Sequence, residues 1–169
     1  MRVSLGVHRG IANPALQLIL PGSKHTLELE GFQRGMKEAA LKRVQVLVAD
    51  DHEAVVRSIV DLLSIDYDIV GTVADGKSLL EAVETINPDV LILDIAMPLV
   101  TGIEAAQILR SRGFQSRIIF LTVHEDPELV QAARELGALG YVAKERMLFD
   151  LPAAIRSALK GKVFTSPMM

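Results

Sequence analysis

The chain passes from a predicted strand to a predicted helix within residues 90–104, which read Val90-Leu-Ile-Leu-Asp94-Ile-Ala-Met-Pro98-Leu-Val-Thr101-Gly-Ile-Glu104. Residues 90–93 are all apolar, and an unbroken apolar run is typical of a parallel strand buried on both faces. Asp94 follows this run directly. Thr101 and Glu104 have the spacing of a capping box, which predicts that a helix begins there and continues to about Arg110.

The same succession of strand and helix recurs on both sides of this segment. Apolar runs predict further strands at 44–49, 67–73, 118–121 and 141–143. Amphipathic segments predict helices at 52–63, after Asp75-Gly76, from Asp126-Pro127 to Gly137, and at 151–159. Five strands, each followed by a helix, indicate an α/β fold with a five-stranded, parallel, doubly wound sheet. We expect the flavodoxin-like strand order 2-1-3-4-5. This domain is predicted to occupy residues 44–165, followed by a tail at 166–169.

Composition limits the classes of protein to which the chain can belong. Of its 169 residues, 50% are apolar and 23% are charged, which is enough apolar material for one ordinary core and argues against disorder throughout. The chain has no cysteine, which excludes a disulfide scaffold, a thiolate zinc site and a cysteine nucleophile. No apolar run is long enough for a membrane span or a signal peptide, so we expect a cytoplasmic chain that does not contact a membrane.

Residues 1–43 do not continue the strand and helix pattern. Pro14, Pro21 and several glycines interrupt the segment, which carries a net charge of +4, against −7 for residues 44–169. We expect a disordered extension or, alternatively, a wrongly assigned start, with translation beginning at Met36. The acidic balance of the larger segment argues against direct binding of nucleic acid by this chain.

Polar residues follow the predicted strands at the points where those strands end. Asp50 and Asp51 follow the first strand, Asp94 the third, Thr122 the fourth and Lys144 the fifth. The carboxyl ends of parallel strands meet at one edge, so these side chains are expected to lie together. Three carboxylates so close require a counter-charge, and Mg²⁺ is a suitable one because it prefers oxygen ligands and shares them with phosphate. The set predicts phosphoryl transfer to a carboxylate, with Asp94 as nucleophile and with Lys144 and Thr122 contacting phosphoryl oxygens.

Four segments together resemble the receiver domain of bacterial two-component response regulators: Val46-Leu-Val-Ala-Asp-Asp-His52, Leu91-Ile-Leu-Asp-Ile-Ala-Met-Pro98, Phe120-Leu-Thr122 and Gly140-Tyr-Val-Ala-Lys144. Two others, Gly137-Ala-Leu-Gly-Tyr-Val142 and Gly161-Lys-Val-Phe-Thr-Ser-Pro167, are most similar to receivers of the NarL/FixJ subfamily, which carries a LuxR-type helix-turn-helix output.

The resemblance implies a role for each matching residue. Asp94 matches the phosphoacceptor of the family. Asp50 and Asp51 match the acidic pair that binds Mg²⁺ together with Asp94 and the backbone carbonyl of Ala96. Thr122 matches the hydroxyl that moves toward the phosphoryl group, Tyr141 the aromatic residue that turns inward behind it, and Lys144 the ion-pair lysine.

Three positions depart from the usual family pattern. Thr101 replaces an acidic or amide residue and is expected to be an alternative helix cap. Val123 is larger than usual, which predicts tighter access to the phosphoryl group and slower dephosphorylation. Glu145 stands where many receivers have proline, which puts the usual cis turn in doubt. His124 is interpreted as a solvated loop residue or, alternatively, a modulator of phosphoryl lifetime.

The resemblance implies signal transduction by phosphorelay rather than turnover of a separate substrate, since the domain promotes only its own phosphorylation and dephosphorylation. The implied partners are a sensor histidine kinase and a downstream output protein, with homodimer formation on phosphorylation. Alternatives are a fragment of a DNA-binding regulator whose helix-turn-helix is absent here, and a pseudo-receiver that binds without being phosphorylated. A haloacid dehalogenase-type phosphatase is disfavoured because Ala96 stands where it needs an acid. An FMN carrier is disfavoured by the carboxylates after the first strand.

Overall fold

The computed structural model describes residues 43–123 and 127–167. Strands and helices alternate along them: β1 Gln45–Ala49, α1 Glu53–Leu63, β2 Asp68–Val73, α2 Gly76–Ile86, β3 Val90–Asp94, α3 Gly102–Ser111, β4 Arg117–Thr122, α4 Pro127–Glu135, β5 Gly140–Ala143, a 3₁₀ turn Lys144–Arg146, α5 Met147–Leu159 and β6 Phe164–Thr165. The helices in these two ranges are too short or too polar to cross a bilayer.

The strands form one parallel sheet with the order β2-β1-β3-β4-β5-β6. The predicted order 2-1-3-4-5 is therefore confirmed, and β1 and β3 lie side by side where the chain reverses direction across the sheet. The sixth strand was not predicted. It is only two residues long and is defined by its pairing with β5 rather than by an apolar run.

Apolar side chains pack on both faces of the sheet, as a doubly wound fold requires. On one face, side chains of α2, α3 and α4 pack against the sheet, among them Leu79, Leu109 and Ala133. On the other face, α1 and α5 contribute Ile59, Leu63, Leu151 and Ile155. All five residues of β3 are buried, which explains why its sequence is apolar without alternation up to Asp94.

Two helix starts follow from local hydrogen bonds. The Thr101 hydroxyl accepts from the backbone N–H of Glu104 at 3.2 Å, and the Glu104 carboxylate accepts from the N–H of Thr101 at 2.9 Å. This is the predicted capping box, and it confirms the interpretation of Thr101 as a helix cap. Asp75 caps α2 by accepting from the N–H of Ser78 at 2.8 Å.

The start of α5 differs from the prediction. The helix begins at Met147 rather than at 151, and Pro152 lies inside it. Proline is common in the first turn of a helix, which favours a late start, and it lacks the N–H that would bond to the Leu148 carbonyl. Here Arg146 and Asp150 form an ion pair at 2.8 Å across the first turn, and Leu151 is fully buried. These contacts offset the missing hydrogen bond.

The described contacts of the folded domain begin at Arg43, which donates to the Ser64 carbonyl at 2.8 Å, and include Ser166, which is buried beside β5. The predicted bounds of 44–165 stay a prediction. Some predictions fall outside the described residues: the rest of the predicted extension, His124, the Asp126 cap and residues 168–169. All peptide bonds in the described ranges are trans, including the one between Lys144 and Glu145.

Candidate functional site

The predicted site residues lie at the carboxyl ends of adjacent strands. Asp50 follows β1, Asp94 ends β3, Thr122 ends β4 and Lys144 follows β5. The strand register aligns these ends, since Leu93 is paired with Ala49 and Thr122 is paired with Ala143. The sheet therefore brings residues that are up to 94 positions apart in sequence to one edge.

Lys144 forms ion pairs with two buried carboxylates. Its ammonium nitrogen is 2.7 Å from Asp50 Oδ2 and 2.8 Å from Asp94 Oδ2, and the lysine side chain is only 8% exposed. Burial by itself would lower the pKa of Lys144, but the hydrogen bonds and charges of Asp50 and Asp94 outweigh it, so the pKa is raised. The site therefore keeps its cation throughout the physiological pH range.

His52 contacts the acidic pair and was not among the predicted site residues. Its backbone N–H donates to Asp50 Oδ1 at 2.9 Å, and its ring Nδ1 lies 3.3 Å from that oxygen and 2.9 Å from Asp51 Oδ1. The signal was available, because His52 immediately follows the two acids. Its ring is largely exposed.

The loop after β3 folds back closely over Asp94. The Ala96 N–H donates to Asp94 Oδ1 at 3.3 Å, and the Gly102 N–H donates to the Ile95 carbonyl at 3.0 Å. A Cβ atom on Gly102 would collide with the Asp94 carbonyl oxygen, so only glycine allows this approach. The helix cap at Thr101 and this glycine together determine where α3 begins relative to the site.

The donor set suits a hard divalent cation. Asp50, Asp51, His52 and Asp94 each offer a ligand atom, and these atoms lie within 4.8 Å of one another. The buried Asp50 Oδ2 is contacted by the Lys144 ammonium at 2.7 Å. One ammonium beside three carboxylates leaves negative charge at the site, which favours a divalent cation with oxygen ligands. The Asp51 side chain is partly exposed, which leaves the site open to solvent.

Thr122 and Tyr141 are both buried behind this edge. Thr122 is 2% exposed at the end of β4, the strand between β3 and β5. Tyr141 is 7% exposed and belongs to the same apolar cluster as Phe120 and Ala106. Val123, by contrast, is an exposed apolar residue directly after Thr122. The structure therefore brings together the side chains of Asp50, Asp51, Asp94 and Lys144 and places Thr122 and Tyr141 on β4 and β5, two strands of the same edge. The roles of these residues, and of the Ala96 carbonyl as a ligand, stay predictions.

Residues 46–156 match the family described as the response regulator receiver domain. The chain belongs to this family. Receiver domains function in two-component signal transduction, and Mg²⁺ and an aspartyl phosphate are typical of them.

Curated relatives of this receiver include two transcriptional regulatory proteins. YvfU of Bacillus subtilis is 33% identical over 126 residues, covering 73% of this chain and 63% of the relative. DegU of Brevibacillus brevis is 31% identical over 127 residues, covering 74% of this chain and 54% of the relative. The receiver chain thus spans only about 54–63% of the length of these relatives.

Solved receiver domains have the same fold. The non-phosphorylated receiver domain of RcsB from Escherichia coli is 30% identical, with a TM-score of 0.70 over 75% of this chain and all of that chain. The receiver domain of NarL from Mycobacterium tuberculosis is 31% identical, with a TM-score of 0.68 over 72% of this chain and 99% of that chain. These similarities confirm the receiver fold and the resemblance to the NarL-type subfamily.

Proposed function

We propose that this receiver accepts a phosphoryl group on Asp94. The observation that supports the proposal best is the pairing of a buried Asp94 carboxylate with the Lys144 ammonium at 2.8 Å, beside a second buried carboxylate, Asp50. Burying two carboxylates around one cation costs free energy, which a purely structural site would avoid by using apolar residues. The cost is understandable if the site binds a cation and a phosphoryl group.

In the proposed reaction, an Asp94 carboxylate oxygen forms a bond to phosphorus as the bond from phosphorus to the donor breaks. The donor is a phosphorylated histidine of a sensor kinase, or a small acyl phosphate, and its leaving group keeps the electron pair of the broken bond. Lys144 is already positioned to contact an oxygen of the phosphoryl group, and Thr122 offers a hydroxyl donor at the neighbouring strand end. Water later hydrolyses the aspartyl phosphate.

Asp50, Asp51, Asp94 and the Ala96 carbonyl are the groups that would hold Mg²⁺. When bound, the ion neutralises negative charge on the carboxylates and on the transferred phosphoryl group. His52 lies against the same carboxylates and would have to share Asp51 with the ion.

Phosphorylation would act as a conformational switch. New contacts from the phosphoryl group to Thr122 and Lys144 supply the differential free energy that shifts a two-state equilibrium. Tyr141, buried on the strand next to that of Thr122, would respond to that movement.

The output is a partner protein, a homodimer or a helix-turn-helix domain in a longer regulator. The last is supported by relatives described as transcriptional regulatory proteins. The kinase partner and a cytoplasmic location belong to the same proposal.

The test is intact mass spectrometry after incubation with acetyl phosphate and Mg²⁺. We expect one phosphoryl adduct that is lost in Asp94→Asn and on addition of EDTA. The matched control is Asp61→Asn, which changes an exposed acid on α1 and should still be labelled. An adduct that persists in Asp94→Asn would contradict the assignment. Absence of an adduct with both acetyl phosphate and a phosphorylated cognate kinase would make the chain a pseudo-receiver.

A further inference from the structure

We propose that Ser166 and Asp150 are positioning residues for Lys144, so that the C-terminal strand β6 controls the geometry of the phosphoacceptor site. We call Ser166, Asp150 and Arg146 the C-terminal latch. The effect on phosphorylation rests on the proposed function, whereas the effect on the Lys144 ion pair does not depend on it.

The C-terminal segment is attached to the strand that leads to Lys144. β6 pairs with β5 in parallel register, with Phe164 opposite Gly140 and Thr165 opposite Tyr141. The Phe164 N–H donates to the Leu139 carbonyl at 3.0 Å, and the Ser166 N–H donates to the Tyr141 carbonyl at 2.9 Å. Backbone pairing therefore ends at Ser166, just before β5 ends at Ala143.

The Ser166 hydroxyl extends this pairing by one further hydrogen bond. Its oxygen accepts from the Ala143 N–H at 3.2 Å and donates to Asp150 Oδ2 at 2.7 Å. Ala143, Ser166 and Asp150 are each no more than 9% exposed, so water is largely excluded from all three groups. Without the hydroxyl, the buried Ala143 N–H would lose this acceptor, which is costly. This N–H is the last backbone donor before Lys144.

Asp150 also anchors the other end of the segment that carries Lys144. Arg146 donates to Asp150 from Nε at 2.8 Å and from the guanidinium Nη2 at 3.3 Å. The hydrogen bond with Arg146, followed by the one from Ser166, lowers the pKa of Asp150 despite its burial, so Asp150 stays ionised. Lys144 is the first residue of the 3₁₀ turn Lys144–Arg146. Ala143 and Arg146 are the residues on either side of Lys144 and Glu145. Arg146 bonds directly to the Asp150 carboxylate, and Ala143 is linked to it through Ser166.

This arrangement couples the pairing of β6 with β5 to the geometry of the site around Lys144. Lys144 contacts Asp50 and Asp94 with an ammonium held at 2.7–2.8 Å, and displacement of the turn would lengthen both ion pairs. Coupling between two sites is reciprocal. A process that withdraws residues 164–166 from β5 should therefore loosen Lys144, and phosphorylation of Asp94 should change how firmly β6 is bound.

The experiment compares Ser166→Ala with Ser166→Thr and with Ser116→Ala. Ser116 is a suitable control because it is also buried and its hydroxyl donates a hydrogen bond of 2.7 Å to the Pro88 carbonyl. It lies just before β4 begins, at the end of the strand opposite to the site. The readouts are the free energy of unfolding in urea, the ¹⁵N NMR signal of the Lys144 ammonium (assigned with Lys144→Met), and the rate of phosphorylation by acetyl phosphate.

We expect both Ser166→Ala and Ser116→Ala to lose stability, while only Ser166→Ala broadens or shifts the Lys144 ammonium signal. Its phosphorylation rate should fall about fivefold, the factor that corresponds to loss of one ordinary hydrogen bond. Ser166→Thr, which retains the hydroxyl, should restore the signal and most of the rate.

An unchanged Lys144 signal in folded Ser166→Ala would overturn the proposal, as would an equal change in Ser116→Ala. If Ser166→Ala does not fold, Asp150→Asn is measured in its place and the same criteria apply. If the wild-type protein is not phosphorylated at all, the proposed function fails, but the ammonium signal still decides whether the latch positions Lys144.

Discussion

Lys144 has one positive charge and lies between two buried carboxylates, with a third acid, Asp51, beside them. Each of these residues alone is an ordinary strand-end or loop residue. Among the described residues, one ammonium beside three carboxylates leaves a negative balance at this edge. The electrostatics of this edge thus depend on whatever cation or phosphoryl group binds there.

Asp150 allows a pH test of the C-terminal latch. The hydrogen bond with Arg146 holds the folded-state pKa of Asp150 below its ordinary value of 3.8. Its contribution to stability is therefore present above that value and is lost as pH falls through the lower folded-state pKa. We expect the free energy of unfolding lost in Asp150→Asn to be largest near pH 7 and to shrink as the pH falls below 3.8.

Urea denaturation of wild type and Asp150→Asn at several pH values measures this difference. Asp68→Asn, at an exposed position on β2, serves as the control and should show little difference at any pH. A loss in Asp150→Asn that is independent of pH would mean that packing rather than the ionised carboxylate supplies the stability.

At the scale of single elements, α4 has fewer buried residues than any other α-helix in the described ranges. Ala133 is its buried residue, and its C-terminal end is held by Arg110 of α3. Arg110 donates from Nε to the Leu136 carbonyl at 3.1 Å and from Nη1 to the Phe114 carbonyl at 2.8 Å. Burial lowers the pKa of Arg110, but such a guanidinium remains charged at neutral pH. One arginine side chain thus ties α4 to the end of α3.

Replacing Arg110 by lysine should loosen α4 selectively. A compact ammonium cannot reproduce the forked hydrogen bonding of a guanidinium. We expect amide hydrogen exchange in the last turn of α4 to become about tenfold faster, as loss of about one to two hydrogen bonds implies. The control is Arg112→Lys, because Arg112 is more exposed and pairs with Glu84 on the surface. Equal acceleration in both variants would contradict a specific role for Arg110.

For the molecule as a whole, strand order decides where the charges meet. Because β1 and β3 are neighbours, the acids that follow Ala49 and Leu93 share one site, although more than 40 residues separate them. A cation that binds this site binds the folded chain and not the unfolded one. Ligand binding of that kind stabilises the fold in proportion to the logarithm of ligand concentration.

We therefore expect Mg²⁺ to raise the free energy of unfolding, by about 2.7 kcal/mol when its concentration is 100 times the dissociation constant. Thermal or urea unfolding with and without Mg²⁺ measures the effect. Asp51→Asn should reduce it strongly, since Asp51 is the partly exposed member of the acidic set, whereas Asp61→Asn on α1 should not. The same increase in Asp51→Asn would indicate non-specific ion binding.

Much of this protein could be predicted because its strands and helix starts are local patterns. The apolar run at β3, the capping box at Thr101 and the polar residues at strand ends depend on neighbours within a few positions. The start of α5 was predicted late because Pro152 is a local signal of a first helical turn, whereas the helix begins at Met147, beside the ion pair between Arg146 and Asp150. The 1–43 extension and the roles of the site residues stay predictions.

The sequence by itself determined the order of elements, the parallel sheet and the acidic edge, because hydrophobic period and strand-end position are properties of short segments. Only the tertiary structure decided that β6 joins the sheet and that Ser166 reaches Ala143 and Asp150. These contacts are hydrogen bonds between segments that are distant in sequence. They arise from how the elements pack, so no local pattern of residue types predicts them.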